Sequence, residues 1–328
     1  MAIYSVTEEN ITKAAKIIKE GGLIAFPTET VYGLGADLFN PQAVEKIFLV
    51  KNRPFFNPLI AHISNINELY KIIENNKIEA KVEKLINKFW PGPLTIVFSK
   101  SSKVPKVATG NLSTIAVRMP RNKIALKLIE RAGTPLAAPS ANLFSQLSPT
   151  KAKHVFNQLG EKVDLILDGG DCLVGVESTI VKINKEGVFL LRLGGISVEQ
   201  LEKELGEKLI LGKQKLYTPD SPGQLLYHYA PRTPLEICLE IKKINLEDSE
   251  TAFLFWQKRK NFEPSERVKF LSDSGSLEEA AKNFYAYLYE LDLLNLKKIY
   301  VEAFPEIGLG KTLMDRLKKA SYQGKNKN

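Results

Sequence analysis

The chain has 328 residues, of which 44% are hydrophobic and 25% are charged, a balance that is typical of folded globular proteins and argues against a disordered or fibrous class. It has no run approaching the roughly 18 apolar residues that span a bilayer and no signal-peptide pattern at its start, so we expect a cytoplasmic protein. Lysine and arginine exceed aspartate and glutamate by 46 to 37, a formal net charge of +9, which favours anionic partners such as nucleotides, phosphates or RNA.

The cysteines and histidines are few and scattered. Cys172 and Cys238 lie far apart without CxxC spacing, which is typical of a reducing compartment. His62, His154 and His228 show no HxxxH or HxH pairing that would place two metal ligands on one face. We therefore expect no structural disulfide and no metal held by protein side chains.

Residues 1–206 predict one α/β domain. Ser5 and Glu8 form a capping-box pattern ahead of a first amphipathic helix, and Asn40 followed by Pro41 is typical of the start of a second. Short β-rich runs alternate with helical segments through the rest of this region, at 23–26, 59–63, 94–99, 113–120, 165–168 and 178–183.

The texture changes near residue 206. A proline-rich stretch with little periodicity, residues 207–234, predicts a linker. The remaining residues, 235–328, predict a second, smaller α/β domain that ends in a βαβ unit. Its strands are expected at 235–241, 251–256, 268–271 and 298–304, and its helices at 275–294 and 310–320. Two domains agree with the length of the chain, which exceeds what one core usually organises.

A loop rich in hydroxyls and glycine follows the first buried strand, a position where α/β proteins often present ligand groups. Thr28, Thr30 and Tyr32 could bond a small polar substrate, while Gly33 and Gly35 would let the backbone approach it. The alternative is an ordinary turn between two elements.

Lys51 and Arg53 lie at the end of the second predicted helix. They could simply complement the helix dipole. They could also clamp phosphate, because the arginine fork fits two phosphate oxygens and lysine can neutralise a third. His62 follows within an apolar run, where a core histidine is the common interpretation.

Three further motifs offer polar groups at strand ends. Arg118 ends an alternating strand and could pair a carboxylate. Ser140, Asn142 and Ser148 follow another strand and could contact a base, ribose or phosphate. Ser178 begins one strand and Arg192 ends the next, which predicts a hairpin presenting both; these three motifs are at 113–120, 136–150 and 175–197.

Taken in order, these motifs resemble the YrdC-type threonylcarbamoyl-AMP synthases. The matching segments are PTETVYGLG, KNRP followed by NPL and H, TIAVRMP, APSAN with SPT, ESTIV and RLGGI. SPGQLLYHYAP and the C-terminal LYELDLLNLKKIYVEAFPEIGLGKTLMDRLKKAS are similar to the longer two-domain branch. The resemblance implies a twisted-sheet α/β domain with a large basic cavity, joined by a linker to a smaller Rossmann-like α/β domain.

The resemblance also implies a reaction: L-threonine, bicarbonate or CO2, and ATP give L-threonylcarbamoyl-AMP and pyrophosphate, for threonylcarbamoyl-adenosine in tRNA. Mg2+ is implied with ATP. A separate threonylcarbamoyl transferase would act downstream, and the positive charge leaves weak RNA binding open. No membrane partner is implied.

Site residues carry over by motif. Those implied for threonine are Thr30, His62, Arg118, the backbone near Ala138, and Ser178. Those implied for ATP are Lys51, Arg53, Asn57, Thr114, Ser140, Asn142, Ser148, Arg192 and Tyr229, with Lys51 and Arg53 catalytic. Those implied to close the cavity from the linker are Ser221, Pro222, Gly223, His228 and Tyr229. The chain departs from the common family pattern at Phe144, Ser145 and Gln224, which puts local loop shape in doubt.

Two rival interpretations remain at this point. GLGKT at 308–312 suggests a P-loop, but Pro305 stands where the first glycine is required, so an ordinary strand-to-helix turn is favoured. The other rival is a non-catalytic module that binds double-stranded RNA through shape and phosphates, although neither an RNP aromatic motif nor a KH-type GxxG clamp is evident.

Overall fold

The structure, a computed structural model, describes residues 3–75, 78–212, 221–223, 228–239, 248–260 and 262–322. The helices are α1 (Glu8–Lys19), α2 (Pro41–Lys51), α3 (Ile66–Ile72), α4 (Ala80–Phe89), α5 (Lys123–Ala132), α6 (Ala152–Leu159), α7 (Val198–Leu205), α8 (Leu277–Asp292) and α9 (Leu309–Ser321). In these ranges no helix is both long enough and apolar enough to cross a membrane.

The strands form two sheets. The N-terminal ones are β1 (Ile3–Ser5), β2 (Ile24–Phe26), β3 (Gly33–Asp37), β4 (Ile60–His62), β5 (Leu94–Ser99), β6 (Thr114–Arg118), β7 (Leu136–Ala137), β8 (Leu165–Asp168), β9 (Thr179–Asn184), β10 (Gly187–Arg192) and β11 (Ile210–Leu211). The C-terminal ones are β12 (Leu235–Cys238), β13 (Thr251–Phe255), β14 (Val268–Phe270) and β15 (Lys298–Glu302).

The larger sheet is mixed, in the order β1-β8-β2-β3-β7-β4-β6-β5-β9-β10-β11. β4 and β6 are parallel, β5 and β6 antiparallel, and β9 and β10 form the predicted hairpin. The smaller sheet, β12-β15-β13-β14, is wholly parallel, with α8 as the crossover between β14 and β15. The α/β class is confirmed in both parts.

The first helix starts later than the sequence pattern suggested. Ser5 belongs to β1, which pairs with β8, and the cap of α1 is Thr7, whose hydroxyl accepts from the Asn10 N–H at 3.1 Å. The prediction for α2 is confirmed: the Asn40 side chain accepts from the Ala43 N–H and Pro41 takes the first helical position, where its missing N–H is harmless.

The glycine-rich segment after β2 is a strand and not only a loop. Gly33–Asp37 pairs back on β2 as an antiparallel hairpin. A Cβ at Gly35 would lie 2.7 Å from the Phe26 ring, so Gly35 allows packing within the hairpin and does not bring the backbone to a ligand. Gly33, in contrast, borders the central cavity described below.

Apolar side chains cover both faces of the large sheet, and a further core lies in the C-terminal part. That C-terminal core also contains Val31, Leu147, Val176 and Tyr229. Because these residues come from the N-terminal region and the linker, the two α/β units share buried apolar surface, which favours a fixed relative position over free domain motion.

Candidate active site

A cavity opens where the loop after β2, the ends of β4 and β6, the β9–β10 hairpin and the linker meet. About 550 Å³ of empty space lies in this cavity, a figure that includes the open solvent at its mouth. The predicted ligand residues that line this central cavity are Thr30, Arg53, His62, Arg118, Ala138, Ser140, Ser178, Arg192 and Tyr229. Side chains from distant parts of the sequence therefore converge, as their motif order implied.

The sheet register places the first group. His62 and Arg118 are paired residues at the carboxyl ends of the neighbouring parallel strands β4 and β6. Such strand ends are where open α/β sheets usually bind ligands. Ala138 and Ser140 follow β7, which is the next strand beyond β4.

Arg118 is held from three directions while buried. Its Nη1 donates to the Thr30 hydroxyl at 2.8 Å and its Nε to the Gly92 carbonyl at 3.2 Å. Its Nη2 lies 2.6 Å from the Glu29 carboxylate, and both side chains of this ion pair are about 95% buried. A guanidinium fixed by a carboxylate and a hydroxyl is positioned for bidentate recognition of a second carboxylate.

Glu29 was not predicted from the sequence as a site residue, because an isolated glutamate in a predicted loop is usually exposed to solvent. Its buried carboxylate contacts Arg118, and its Oε2 has no hydrogen-bond partner within the described ranges. The signal that could have identified it is its position between Thr28 and Thr30, two candidate ligand residues whose hydroxyls are 2.8 Å apart. The Thr28 hydroxyl also donates to the Val31 carbonyl at 2.6 Å, so the loop is pre-organised by its own side chains.

His62 is neutral under ordinary conditions. Burial first, and the Arg118 charge second, lower the pKa of this imidazole to about 3. Its Nδ1 lies 3.2 Å from the Ile60 carbonyl, which can only accept, so we assign the proton to Nδ1 and leave Nε2 as an acceptor. His62 can therefore accept a hydrogen bond from an ammonium or hydroxyl group.

Lys51 lies behind the cavity wall. Its ammonium donates to the Ser140 carbonyl at 2.6 Å and to the Asn142 carbonyl, with the Asn142 side-chain oxygen at 3.4 Å. Burial first, and the nearby Arg53 charge second, place the pKa of Lys51 well below its usual range. In this conformation all three donors of the ammonium are engaged with the loop after β7, so the predicted contact with phosphate stays a prediction.

Arg53 faces the cavity and keeps donors available. Its Nε donates to the Asn57 carbonyl at 3.1 Å and its Nη2 to the Pro58 carbonyl at 2.8 Å. Burial is the main cause that lowers the pKa of Arg53 to about 9, so it is charged at neutral pH. The Asn57 side chain is fully buried and does not line the cavity, and neither of its amide atoms has a partner in the described part of the chain. Its predicted contact with ATP stays a prediction.

Phe144, where the chain departs from the family pattern, has a defined place. Its ring lies 5.9 Å from the Arg53 guanidinium carbon and packs edge-on against His228 at 5.8 Å. The adjacent Ser145 has a φ of 70°, a left-handed conformation that glycine adopts without strain. The departure therefore adds an aromatic contact between Arg53 and the linker.

The β9–β10 hairpin joins Arg192 to Ser178. Arg192 donates to the Ser178 carbonyl from Nε at 3.0 Å and from Nη2 at 2.8 Å, and Nη2 also donates to the Ser178 hydroxyl at 3.0 Å. That hydroxyl lies 2.7 Å from the Thr95 hydroxyl. The Arg192 Nη1 reaches the Pro222 carbonyl at 3.4 Å, so the hairpin contacts the linker.

The described parts of the linker border the cavity. Pro222, Gly223, His228 and Tyr229 line it, and Ser221 is fully buried next to them. Burial places the pKa of His228 well below its usual range, so this imidazole is neutral at physiological pH. Residues 213–220 and 224–227, and with them Gln224, lie outside the described residues.

Some predicted ligand residues do not reach the cavity surface. Asn142 and Ser148 are buried just behind it. Thr114 and Arg118 are four residues apart on β6, so their side chains lie on the same face of the strand. The distance between them along the strand is nevertheless about 13 Å. Thr114 borders a separate depression with Phe98 and Lys182. A role for Thr114 in binding ATP remains a prediction.

The GLGKT segment lies at the predicted strand-to-helix junction after β15: Gly308 is the N-cap of α9, and residues 309–312 form the first turn of this helix. Lys311 pairs with Glu199 at 2.6 Å, and the Thr312 hydroxyl donates to the Gly194 carbonyl at 3.0 Å. Both side chains thus contact the N-terminal unit, and neither is arranged around a phosphate loop.

Comparisons with known proteins agree with this geometry. A family model described as "Telomere recombination" matches residues 16–194, and one described as "Threonylcarbamoyl-AMP synthase, C-terminal domain" matches residues 196–321. Threonylcarbamoyl-AMP synthase of Pyrococcus abyssi is 40% identical over 96% of this chain and 95% of its own length, and that of Bacillus subtilis is 37% identical over 97% and 94%.

A solved structure extends the likeness to the fold. The crystal structure of P. abyssi Sua5 complexed with L-threonine has a TM-score of 0.89 and 39% identity, covering 98% of both chains. Sequence and fold therefore agree along almost the whole length of both domains. The chain belongs to the threonylcarbamoyl-AMP synthase family.

Proposed function

We propose that this protein makes L-threonylcarbamoyl-AMP from L-threonine, bicarbonate or CO2, and ATP, with release of pyrophosphate. The observation that carries the proposal is one cavity lined both by Arg118, whose guanidinium is held in place for a carboxylate, and by a second group of cations, Arg53 and Arg192. An amino acid and a nucleotide need these two features side by side. The relatives named above carry this activity in their names.

Threonine is proposed to bind at the strand ends. Arg118 would take its carboxylate, since Glu29 and Thr30 already fix the guanidinium in place. The free nitrogen of neutral His62 would accept from the amino group, and Ser178 would contact the side chain. The match to a threonine complex of similar fold supports this placement.

ATP is proposed to lie between Arg53, the hairpin residue Arg192 and the linker residue Tyr229. The two guanidinium groups would stabilise negative charge that develops on the phosphates. Mg2+ is proposed to enter as the ATP complex, held by phosphate oxygens, because no cluster of three histidine, cysteine or acidic side chains exists within the described ranges. Magnesium commonly binds proteins in this way.

The chemistry needs proximity more than a strong base. The threonine amine adds to CO2 and loses a proton, giving a carbamate; one carbamate oxygen then attacks the α-phosphorus while the bond to the β-phosphate oxygen breaks and pyrophosphate leaves. Carbamates are weak nucleophiles that decompose readily, so alignment with the α-phosphorus in a cavity that excludes water can contribute several kcal/mol. The linker residues bordering the cavity would exclude water.

The proposal is tested by following 13C from bicarbonate into threonylcarbamoyl-AMP by mass spectrometry, together with pyrophosphate release. Arg53→Ala should lower both by at least about 100-fold, because one charge-stabilising donor typically contributes that much. Arg131→Ala, a half-exposed surface arginine of the same domain, is the matched control and should retain activity. Product without threonine or bicarbonate, or full activity of Arg53→Ala, would contradict the assignment.

The double-stranded RNA module is not favoured, because the arginines that line the cavity are buried, whereas duplex RNA is recognised across an exposed surface. The product must then be consumed by a transferase acting on tRNA, since a mixed anhydride of this kind hydrolyses readily. That partner, and any weak RNA binding, remain proposals.

A further inference from the structure

A buried polar cluster joins the C-terminal domain to the cavity. Glu177 lines the cavity directly before Ser178. Its carboxylate accepts from the Ser148 hydroxyl at 2.6 Å, from the Tyr285 hydroxyl at 3.0 and 3.2 Å, and from the Arg316 Nε at 2.8 Å. Tyr285 lies on α8 and Arg316 on α9, so two of the three partners come from the other domain.

Arg316 touches three separate segments of the cavity wall at once. Its side chain is fully buried. Besides Glu177, its Nη2 donates to the Leu193 carbonyl at 2.7 Å, and Leu193 directly follows Arg192. Its guanidinium carbon also lies 4.6 Å from the centre of the Tyr229 ring in the linker. One C-terminal side chain therefore ties together the residues flanking Ser178 and Arg192 and the linker itself.

The contact with Arg316 also affects the charge of the Glu177 carboxylate. Burial alone would raise the pKa of Glu177, but the charges of Arg316 and Arg192 and the hydrogen bond from Ser148 lower it to about 2. Glu177 is thus an anion beside a cavity that is proposed to hold a triphosphate. A buried anion that loses its cationic partner is costly and would repel phosphate.

We propose that Arg316 is a positioning residue through which the C-terminal domain organises the nucleotide side of the cavity. It holds Arg192 and Tyr229 in place and cancels the charge of Glu177. The main threonine contact is held separately, because Arg118 takes its hydrogen bonds and its ion pair from Glu29, Thr30 and Gly92. Ser178, proposed to contact only the threonine side chain, is the threonine-site residue that neighbours Glu177. The inference rests on the proposed function and adds a role for the second domain in binding ATP.

Binding measurements on the intact protein test it without relying on turnover. Isothermal titration with α,β-methylene-ATP should show at least 10-fold weaker binding for Arg316→Gln than for wild type, while L-threonine binding stays within 3-fold. Arg259→Gln is the matched control: Arg259 also pairs with a buried glutamate of the C-terminal domain, Glu302, and should change neither affinity by more than 2-fold.

Removing the charge of Glu177 as well as that of Arg316 distinguishes a positioning role of Arg316 from a general loss of structure. The double variant Glu177→Gln with Arg316→Gln should recover at least 3-fold of the lost nucleotide affinity, since the uncompensated anion is gone. If Arg316→Gln fails to fold, Arg316→Lys provides the test. Lysine keeps the positive charge but lacks the planar guanidinium with its several donors. This variant should still weaken nucleotide binding at least 3-fold while leaving threonine binding unchanged.

Unchanged nucleotide affinity in the folded Arg316 variant would overturn the inference. So would an equal loss for threonine and nucleotide, or a double variant that binds no better than the single one. If wild type binds both ligands but yields no threonylcarbamoyl-AMP, the proposed function fails while this account of the nucleotide side stands.

Discussion

Gly223 allows the linker to approach the hairpin closely. Its φ is +83°, and a Cβ at this position would lie 2.6 Å from the Tyr229 hydroxyl and 2.8 Å from the Arg192 Cδ. Both neighbours line the cavity. At this residue, backbone conformation and lack of a side chain are both required, since an alanine would be strained and would also push two proposed ATP contacts apart.

Gly223→Ala should therefore lower the apparent affinity for ATP by at least about 10-fold, equivalent to about 1.4 kcal/mol. Gly133→Ala is the matched control, because Gly133 also has a positive φ, of +70°, but its added Cβ would meet nothing within 4 Å. Steady-state kinetics with varied ATP distinguishes the two variants. Similar KM values for ATP in both would show that close packing at Gly223 is unimportant.

At the scale of elements, the cavity depends on how helix and strand ends are joined. Lys51, the last residue of α2, bridges to the loop after β7 through the Ser140 and Asn142 carbonyls. The Asn142 amide in turn donates to the Leu143 and Gln146 carbonyls at 2.8 and 2.9 Å. This arrangement indicates that Lys51 shapes the loop, whatever contact it makes with phosphate.

Lys51→Met should destabilise the protein as well as inactivate it. The substitution leaves buried carbonyl oxygens without donors, so the free energy of unfolding should fall by about 3 kcal/mol. Urea unfolding followed by circular dichroism measures this directly, with Arg131→Ala as reference. Loss of activity at unchanged stability would instead indicate that Lys51 acts only on the nucleotide.

At the scale of the whole molecule, the sequence predicted where many of the strands lie along the chain and which polar groups follow them, because alternation and capping are local signals. It could not predict the pairs Glu29–Arg118 and Glu177–Arg316, whose members lie 89 and 139 positions apart. Arg316 looks in the sequence like one charge on a solvated helix face. The prediction that Ser5 caps the first helix was wrong for the same reason, because Ser5 pairs with the distant strand β8 as part of β1.

The three buried histidines predict acid sensitivity. The folded-state pKa of His62 is about 3 and that of His154 about 4, mainly through burial, and that of His228 is also well below 6.5. The unfolded chain therefore takes up protons below about pH 6.5 while the folded protein does not, so stability falls as pH drops from about 6.5 to 4, by about 1.4 kcal/mol per pH unit for each histidine.

Urea unfolding at pH 7, 6 and 5 measures whether the free energy of unfolding falls with pH and by how much. His154→Asn keeps an acceptor for the Thr150 N–H and should reduce the pH dependence by the share of one histidine. Stability that stays flat between pH 7 and 5, or the same slope in the variant, would show that these imidazoles are not held neutral.

The most direct test of the account is a crystal structure of this protein with L-threonine and α,β-methylene-ATP bound together. We expect the threonine carboxylate on Arg118, the phosphates beside Arg53 and Arg192, and the amino group within reach of the α-phosphorus once carboxylated. Either ligand bound outside the central cavity, or the two bound too far apart to react, would contradict it.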